Sequence, residues 1–224
     1  MSVKTIDELL LDELKDIYSA EKQAIKAYPK LIKAVESEDL KEAMQEHLQQ
    51  TQQQLDRLER IFERLEERPG GKTCNGMKGL LEEAFEHIDE IESGPVLDAA
   101  LIGALQRVEH YEIAAYGTAR AFAQATGESE IQKLLATTLD EEKETDEKLT
   151  GVAESVNADA ISGSEDSEDD ESDVDADDEG DEEGLDEDAD DVQTEDEGAR
   201  TSMKAAPRRP PQKKAAKSSV RKAG

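Results

Sequence analysis

Apolar residues recur every three or four positions along most of the first 155 residues, which is the spacing of α-helices buried on one side. Four stretches keep this period for about seven turns each, at 6–35, 38–67, 95–125 and 129–155. No stretch shows the strict apolar–polar alternation of a half-buried strand. The pattern therefore predicts an all-α domain of four long helices.

Residues that begin and end helices lie at the boundaries of these stretches. Thr5 is followed three residues later by Glu8, which is the capping-box pattern of a helix start. Ser37 is placed to cap the second helix, and Pro95 lies near the first position of the third. These residues divide the pattern into two pairs of helices with short links inside each pair.

The connection between the two pairs is long, at residues 67–95, and carries a short helical pattern of its own at about Met77 to Glu92. A connection of this length can take the chain from one end of a bundle to the other, so that the helices before and after it run in the same direction. We therefore expect a four-helix bundle with one crossover.

Acidic residues interrupt the apolar stripe of the third long helix, in the segment LQRVEHYEIAAY. Glu109 and Glu112 fall on its most apolar face, where a carboxylate is costly unless a cation, a proton or a hydrogen-bond donor meets it. Each of the other long helices also has an ionisable residue near the middle of its stripe, namely Glu21, His47 and Glu142. No Lys or Arg is expected at this level of the bundle.

These five residues predict a cage of carboxylates and one imidazole that suits two iron or manganese ions, because carboxylates match hard divalent metals and can bridge two of them. Alternatives remain open for each residue. Glu109 and Glu112 could instead join a hydrogen-bond network with tyrosine, threonine and glutamine side chains. Glu21 and Glu142 could be solvated acids or salt-bridge partners, and His47 could be a structural histidine of the core.

Charge divides the chain into three parts. The formal net charge of −30 is the sum of −16 in residues 1–155, −23 in residues 156–199 and +9 in residues 200–224. Only the first part has enough apolar residues to bury a core. We therefore expect one folded domain at 1–155, followed by an acidic disordered segment at 156–199 and a basic disordered tail at 200–224.

Composition also excludes several classes of function. Cys74 is the only cysteine, which rules out an internal disulfide framework and fits a reducing cytoplasm. No apolar run reaches the ~18–20 residues needed to cross a bilayer, and nucleophilic catalysis has no support from residue order. The acidity of the domain argues against nucleic-acid binding by its surface, whereas the nine bases of residues 200–224 are suited to DNA or an acidic partner.

Several segments together, among them DELKDIYSAEKQ, CNGM, LIGALQRVEHYEIAAYGTA and LLATTLDEEKETDEKL, resemble the bacterial ferritin-like family typified by the YciE and YciF stress proteins. The resemblance covers about residues 5–155. It implies a ferritin-like four-helix bundle, a homodimer and a di-metal centre of the rubrerythrin kind. Ferritin-like iron sites carry Glu-x-x-His on the second and fourth helices, whereas here Met44 precedes His47 and Thr145 follows Glu142 at that spacing.

The resemblance favours a stress-response protein that binds Fe or Mn in the bundle core and handles oxidants, with a possible oxidase or peroxidase type of activity. The ligands that it implies are Glu21, His47, Glu109, Glu112 and Glu142. A non-enzymatic alternative is a dimeric helical scaffold whose residues 200–224 contact DNA or an acidic partner.

Overall fold

The computed structural model describes residues 3–165, and these form five α-helices. The helices are α1 (Ile6–Ala34), α2 (Glu38–Arg64), α3 (Asn75–Glu90), α4 (Pro95–Ala125) and α5 (Ser129–Glu165). The described residues contain no strand. The predicted all-α class is confirmed, as is the short helix within the long connection.

The four long helices form a closed ring. Helix α1 packs against α2 and α4, and α5 packs against the same two helices from the opposite side. The short helix α3 packs on the outside of the ring, against α1 and α4. This arrangement is a four-helix bundle in which every long helix turns one face toward a shared core.

A contact at the start of α4 shows how the long helices run relative to one another. The Asp98 carboxylate accepts hydrogen bonds from the backbone N–H groups of Glu36 (3.1 and 3.2 Å) and Ser37 (2.7 Å) in the link between α1 and α2. The starts of α2 and α4 therefore lie at the same end of the bundle. As expected for a crossover connection, α2 and α4 run in the same direction, and α1 runs against both.

Side chains cap the helix starts, and one cap was not predicted. The Thr5 hydroxyl accepts from the Glu8 N–H at 3.1 Å, and Ser37 accepts from the Leu40 N–H at 3.3 Å, which confirms both predicted caps. The Cys74 thiol accepts from the Met77 N–H at 3.3 Å and starts α3 at Asn75, two residues before the predicted position. Helix α2 ends at Arg64, three residues before its predicted end.

Helix α5 is ten residues longer than predicted. We expected it to end at Ser155, where apolar residues become scarce, but it continues to Glu165. Val156 explains part of the extension, because its side chain is only 2% exposed and packs in the core. The predicted end was wrong because one buried residue beyond the periodic stretch was not recognised.

The core consists of two apolar clusters, one toward each end of the bundle. The first cluster is built from the C-terminal half of α1, the N-terminal halves of α2 and α4, the end of α5 and the inner face of α3. The second cluster is built from the opposite halves of the four long helices. The side chains between the two clusters are mainly polar, and they are the residues singled out from the sequence.

The acidic disordered segment was predicted at 156–199, but residues 156–165 are the last ten residues of α5. The rest of that segment, 166–199, and the basic tail predicted at 200–224 lie outside the described residues. Of the helices within 3–165, none has both the length and the apolar character needed to cross a membrane.

Asp98→Ala should destabilise the domain by about 2–3 kcal/mol, because it removes a charged acceptor and leaves backbone donors without a partner. Asp140→Ala is the control, since Asp140 is exposed and pairs only with Lys143 of its own helix. Urea unfolding followed by circular dichroism measures both. A loss no larger than that of Asp140→Ala would show that the Asp98 contact does not fix the position of α4.

Candidate metal centre

A layer of buried polar side chains crosses the bundle between the two apolar clusters. All of its main members are at most 3% exposed. They are Glu21 on α1, His47, Thr51 and Gln54 on α2, Glu109 and Glu112 on α4, and Glu142 on α5. Polar groups removed from water in this way need a partner to offset the cost of their desolvation.

Four of the five predicted ligands converge in this layer. His47, Glu109, Glu112 and Glu142 each offer one ligand atom, and these atoms all lie within 4.8 Å of one another. Glu109 and Glu112 lie three residues apart on one helix, which places both on the same face of α4. The four side chains come from three helices, so the position of each depends on the packing of the bundle.

Glu21, the fifth predicted ligand, lies in the same layer but not within that group of four. The Tyr116 hydroxyl donates a hydrogen bond to Glu21 Oε1, and Glu21 Oε2 has no hydrogen-bond partner. Its charge still reaches the other three carboxyl groups and raises the pKa of each. A ligand role for Glu21 stays a prediction.

Burial and mutual repulsion raise the pKa of every carboxyl group in the layer. Burial is the main cause for Glu109, Glu112 and Glu142, whose pKa values lie well above the ordinary range, and the neighbouring carboxylates add to it. The pKa of Glu21 rises to about 8, again through burial, although the Tyr116 hydrogen bond and the charge of Arg57 oppose the rise. At an effective dielectric constant near 20, each close pair of carboxylates repels by roughly 3 kcal/mol.

Several carboxylate oxygens have no donor. The buried carboxylate oxygens without a hydrogen-bond partner are Glu21 Oε2, Glu109 Oε2, Glu112 Oε1 and both oxygens of Glu142. Tyr28 donates to Glu109 Oε1, but at a long 3.4 Å. A proton shared between Glu109 and Glu142 would give that pair one hydrogen bond, and the remaining oxygens would still face one another. A cation is the other species that allows them to coexist.

The hydrogen bonds of His47 leave one ring nitrogen free to face the carboxylates. Nδ1 lies 3.0 Å from the Thr145 hydroxyl and 3.4 Å from Gln50 Oε1, which can only accept a hydrogen bond. In the tautomer that carries the ring proton on Nδ1, this nitrogen donates to Gln50 Oε1 or to the Thr145 hydroxyl, and Nε2 is unprotonated. Burial lowers the pKa of His47 to about 4, so the ring is neutral near pH 7.

In this tautomer the Nε2 lone pair of His47 points at two acceptors, Glu109 Oε1 at 3.4 Å and Glu142 Oε2 at 3.9 Å, whereas in the other tautomer Nε2–H donates to Glu109 Oε1. A lone pair directed at carboxylate oxygens is repulsive unless a cation or a carboxyl proton lies between them. Histidine ligands of metals use this arrangement, in which the second ring nitrogen donates to a neighbouring side chain and fixes the orientation of the ring.

Arg57 was missed from the sequence, and it contradicts the expectation that no Lys or Arg lies at this level. Its guanidinium makes a two-pronged contact with Glu141 at 2.8 Å for each nitrogen and also donates to Thr138. Gln54 donates to the same Glu141 carboxylate at 3.2 Å. Arg57 lies one turn beyond Gln54 on α2, but only the packing of α5 shows that its long side chain turns inward.

A family model described as a domain of unknown function, DUF892, matches residues 5–161. The chain belongs to the DUF892 family. Protein YciF of Escherichia coli is 45% identical over 154 residues, which are 68% of this chain and 93% of that protein. The family resemblance inferred from the sequence is therefore confirmed.

Solved structures agree with this membership. The E. coli stress protein YciF superposes with a TM-score of 0.68 at 43% identity, covering 70% of this chain and 99% of that one. YcfI from Rhodopseudomonas palustris, described as "a putative structural protein", superposes with a TM-score of 0.65 at 44% identity. The match covers 66% of this chain and 95% of YcfI. A protein from Xanthomonas campestris, 23% identical, shares the fold with a TM-score of 0.61.

The two departures of this DUF892 chain from Glu-x-x-His have clear structural roles. Met44 is 1% exposed and packs in the first apolar cluster, so the place of a glutamate ligand on α2 is apolar. Thr145 stands in place of a second histidine, and its hydroxyl forms a hydrogen bond with Nδ1 of His47 at 3.0 Å. The group of four therefore contains one nitrogen donor, and its other donors are carboxylate oxygens.

Two further ionisable residues, His110 of α4 and Asp146 of α5, lie outside the group of four. His110 is largely exposed and contacts Asp146 at 3.2 Å. Asp146 also accepts a hydrogen bond from Gln106 at 3.4 Å. This pair links the outer surfaces of α4 and α5.

The metal-free domain should lose stability as the pH rises from 6.5 to 8. The raised pKa of a buried carboxyl group stabilises the fold at low pH and ceases to do so as the pH rises through its folded value, about 8 for Glu21. The loss is at most about 1.4 kcal/mol per pH unit for each group that titrates. His47 acts in the opposite direction, but only below its unfolded pKa of about 6.5.

Urea unfolding in the presence of a chelator tests this pH dependence. Glu21→Gln should make the decrease in stability shallower, because glutamine does not ionise while Glu109, Glu112 and Glu142 still do, whereas Asp140→Asn should leave the decrease unchanged. Stability that stays constant or increases between pH 6.5 and 8 would contradict the assignment of protons to the carboxyl layer.

Proposed function

We propose that this DUF892 protein binds two iron or manganese ions in the middle of its bundle, and that it acts as a stress protein that handles oxidants. The observation that carries the proposal is the group of four ligand atoms within 4.8 Å, buried together with carboxylate oxygens that lack any donor. Protons alone leave several carboxylate oxygens of this layer without a hydrogen-bond donor.

Charge balance favours two ions. The carboxylates of Glu21, Glu109, Glu112 and Glu142 carry four negative charges when ionised, and His47 is neutral. Two divalent cations neutralise that total, whereas one leaves two buried negative charges. The second ion would draw on Glu21, whose Oε2 has no partner.

The donor set favours iron or manganese over softer metals. Carboxylates with one imidazole suit hard divalent ions, and thiolate or thioether ligands, which select copper, are absent from the group. Bound iron or manganese would supply one-electron or two-electron chemistry toward peroxide or oxygen. In this chain Gln50 and Thr145 contact Nδ1 of His47 and orient the ring, and the apolar clusters close the layer toward both ends of the bundle.

The relation to stress proteins supports the oxidant-handling part of the proposal. YciF, which is 43% identical in its solved structure, is named as a stress protein. Tyr28 and Tyr116 are buried within the layer, and each donates a hydrogen bond to a carboxylate. Such hydroxyls can hold a ligand oxygen in place without adding charge.

Protein loaded with Fe²⁺ under anaerobic conditions, or with Mn²⁺, should contain about two ions per chain. Glu109→Gln should reduce the content well below one ion, and Glu21→Gln should reduce it to about one. Metal at a hundredfold excess over its Kd should stabilise the wild type by about 2.7 kcal/mol. Plasma mass spectrometry and thermal unfolding measure the two effects.

Glu147→Gln is the matched control, since Glu147 is an exposed acid of α5 one turn beyond Lys143. It should leave both metal content and thermal stabilisation unchanged. A wild-type protein with well under one ion per chain, not altered by Glu109→Gln, would reject the metal proposal.

A second candidate function is a homodimeric scaffold whose basic tail engages DNA or an acidic partner. One observation favours it: the relative YcfI is described as structural. In this case the polar layer is held by protons and by hydrogen bonds such as that of Tyr116 to Glu21.

Deletion of residues 200–224 should abolish retention on immobilised DNA if the tail makes the contact, because it removes nine bases and no acids. Retention by the full chain should decrease steeply with salt as counterions are displaced from phosphates. Chromatography on immobilised DNA between ~50 and ~300 mM salt tests the contact made by the tail, and gel filtration tests whether the protein is a homodimer. Equal retention of the full and shortened chains would exclude a role for the tail.

A further inference from the structure

A cavity of about 140 Å³ opens between α2 and α5 and reaches the candidate centre. Its lining residues are Ala43, Glu46, His47, Gln50, Glu144, Thr145 and Lys148. Glu46, Glu144 and Lys148 are exposed, whereas His47 and Thr145 are 3% and 9% exposed. The cavity therefore leads from a charged rim at the surface to the buried imidazole.

We propose that this α2–α5 cavity is the passage by which a divalent cation reaches the carboxylate layer, and that Lys148 restricts it. The inference rests on the proposed metal binding.

The inner end of the cavity meets the metal-binding group at one side chain. Nδ1 of His47 faces Gln50 and Thr145, which line the cavity, and Nε2 faces Glu109 on the other side. His47 is the only residue that both lines the cavity and belongs to the group of four, so a cation that enters the cavity meets the group at this imidazole. A volume of 140 Å³ has room for several waters at roughly 30 Å³ each, so a cation can keep part of its hydration shell.

The other sides of the layer are less suited to a cation. Apolar clusters close the layer toward both ends of the bundle. On the side of α1 and α4, Tyr28 and Tyr116 are at most 1% exposed. A cation moving through apolar surroundings loses its hydration without compensation, so a polar passage is favoured.

The rim carries charges that act in opposite directions. Glu46 and Glu144 attract a cation, and acidic rims of this kind raise the local concentration of cations. Lys148 of α5 spans the rim and donates to the Glu46 carboxylate of α2. Both partners are substantially exposed, at 45% and 69%, so the ion pair is weak and opens readily.

Lys148→Ala should raise the rate of anaerobic Fe²⁺ uptake roughly three- to tenfold, since it removes a repelling charge and a side chain from the opening. Release of Fe²⁺ to an external chelator should accelerate by a similar factor. The equilibrium content of metal should stay that of the wild type, because all five proposed ligands are intact. Stopped-flow mixing with a colorimetric chelator measures the rates.

Lys143→Ala is the matched control. Lys143 is an exposed lysine of the same helix, pairs with Asp140 and does not line the cavity. Its loss changes the net charge equally and should leave both rates within about twofold of the wild type.

Ala43→Leu tests the passage without a change of charge. The larger side chain enters the cavity and should slow uptake and release together, with the fold checked by circular dichroism. A Lys148→Ala protein that binds metal fully but at wild-type rates would overturn the passage and leave the metal proposal intact. A wild type that binds no metal would overturn both.

Discussion

Four carboxyl groups and one neutral imidazole occupy a buried layer in the middle of the bundle, and the remainder of the structure has to accommodate them. Burial raises the pKa of each carboxyl group, and the neighbouring charges raise it further. A bundle with leucine at these positions would avoid this cost, since buried polar groups seldom stabilise a fold more than well-packed apolar ones. The layer is therefore better explained by ligand binding than by stability.

The rest of the fold keeps these groups at one level. Asp98 joins the start of α4 to the link between α1 and α2, which fixes the relative heights of three helices. The apolar clusters above and below then lock the rotation of each helix. A shift of one residue turns a helix by about 100° and would move a carboxylate out of the layer, so the site depends on contacts that lie far from it.

The sequence predicted the architecture because periodicity and capping are local. The Thr5 and Ser37 caps and the start of α4 at Pro95 were read directly from short segments. The sequence also predicted that Glu109 and Glu142 face inward, since each interrupts an apolar stripe. It predicted that five inward residues converge, and four of them do, but the place of the fifth could not be predicted. Glu21 accepts a hydrogen bond from Tyr116 and lies apart from the group of four, and the Arg57 side chain turns inward toward Glu141. The positions of Glu21 and Arg57 both depend on packing between helices.

The hydrogen bonds around His47 join the chemistry of the layer to its access from solvent. Thr145 takes the place that a second histidine occupies in ferritin-like sites, and its hydroxyl lies 3.0 Å from Nδ1 of His47. The same hydroxyl lines the α2–α5 cavity, which a second histidine would have narrowed. Thr145 thus accounts for two features: the site lacks a second nitrogen ligand, and the adjoining cavity has a polar wall. If the proposed centre binds metal, its smaller ligand set and adjoining cavity should let it bind and release ions more readily than a site with two complete Glu-x-x-His pairs.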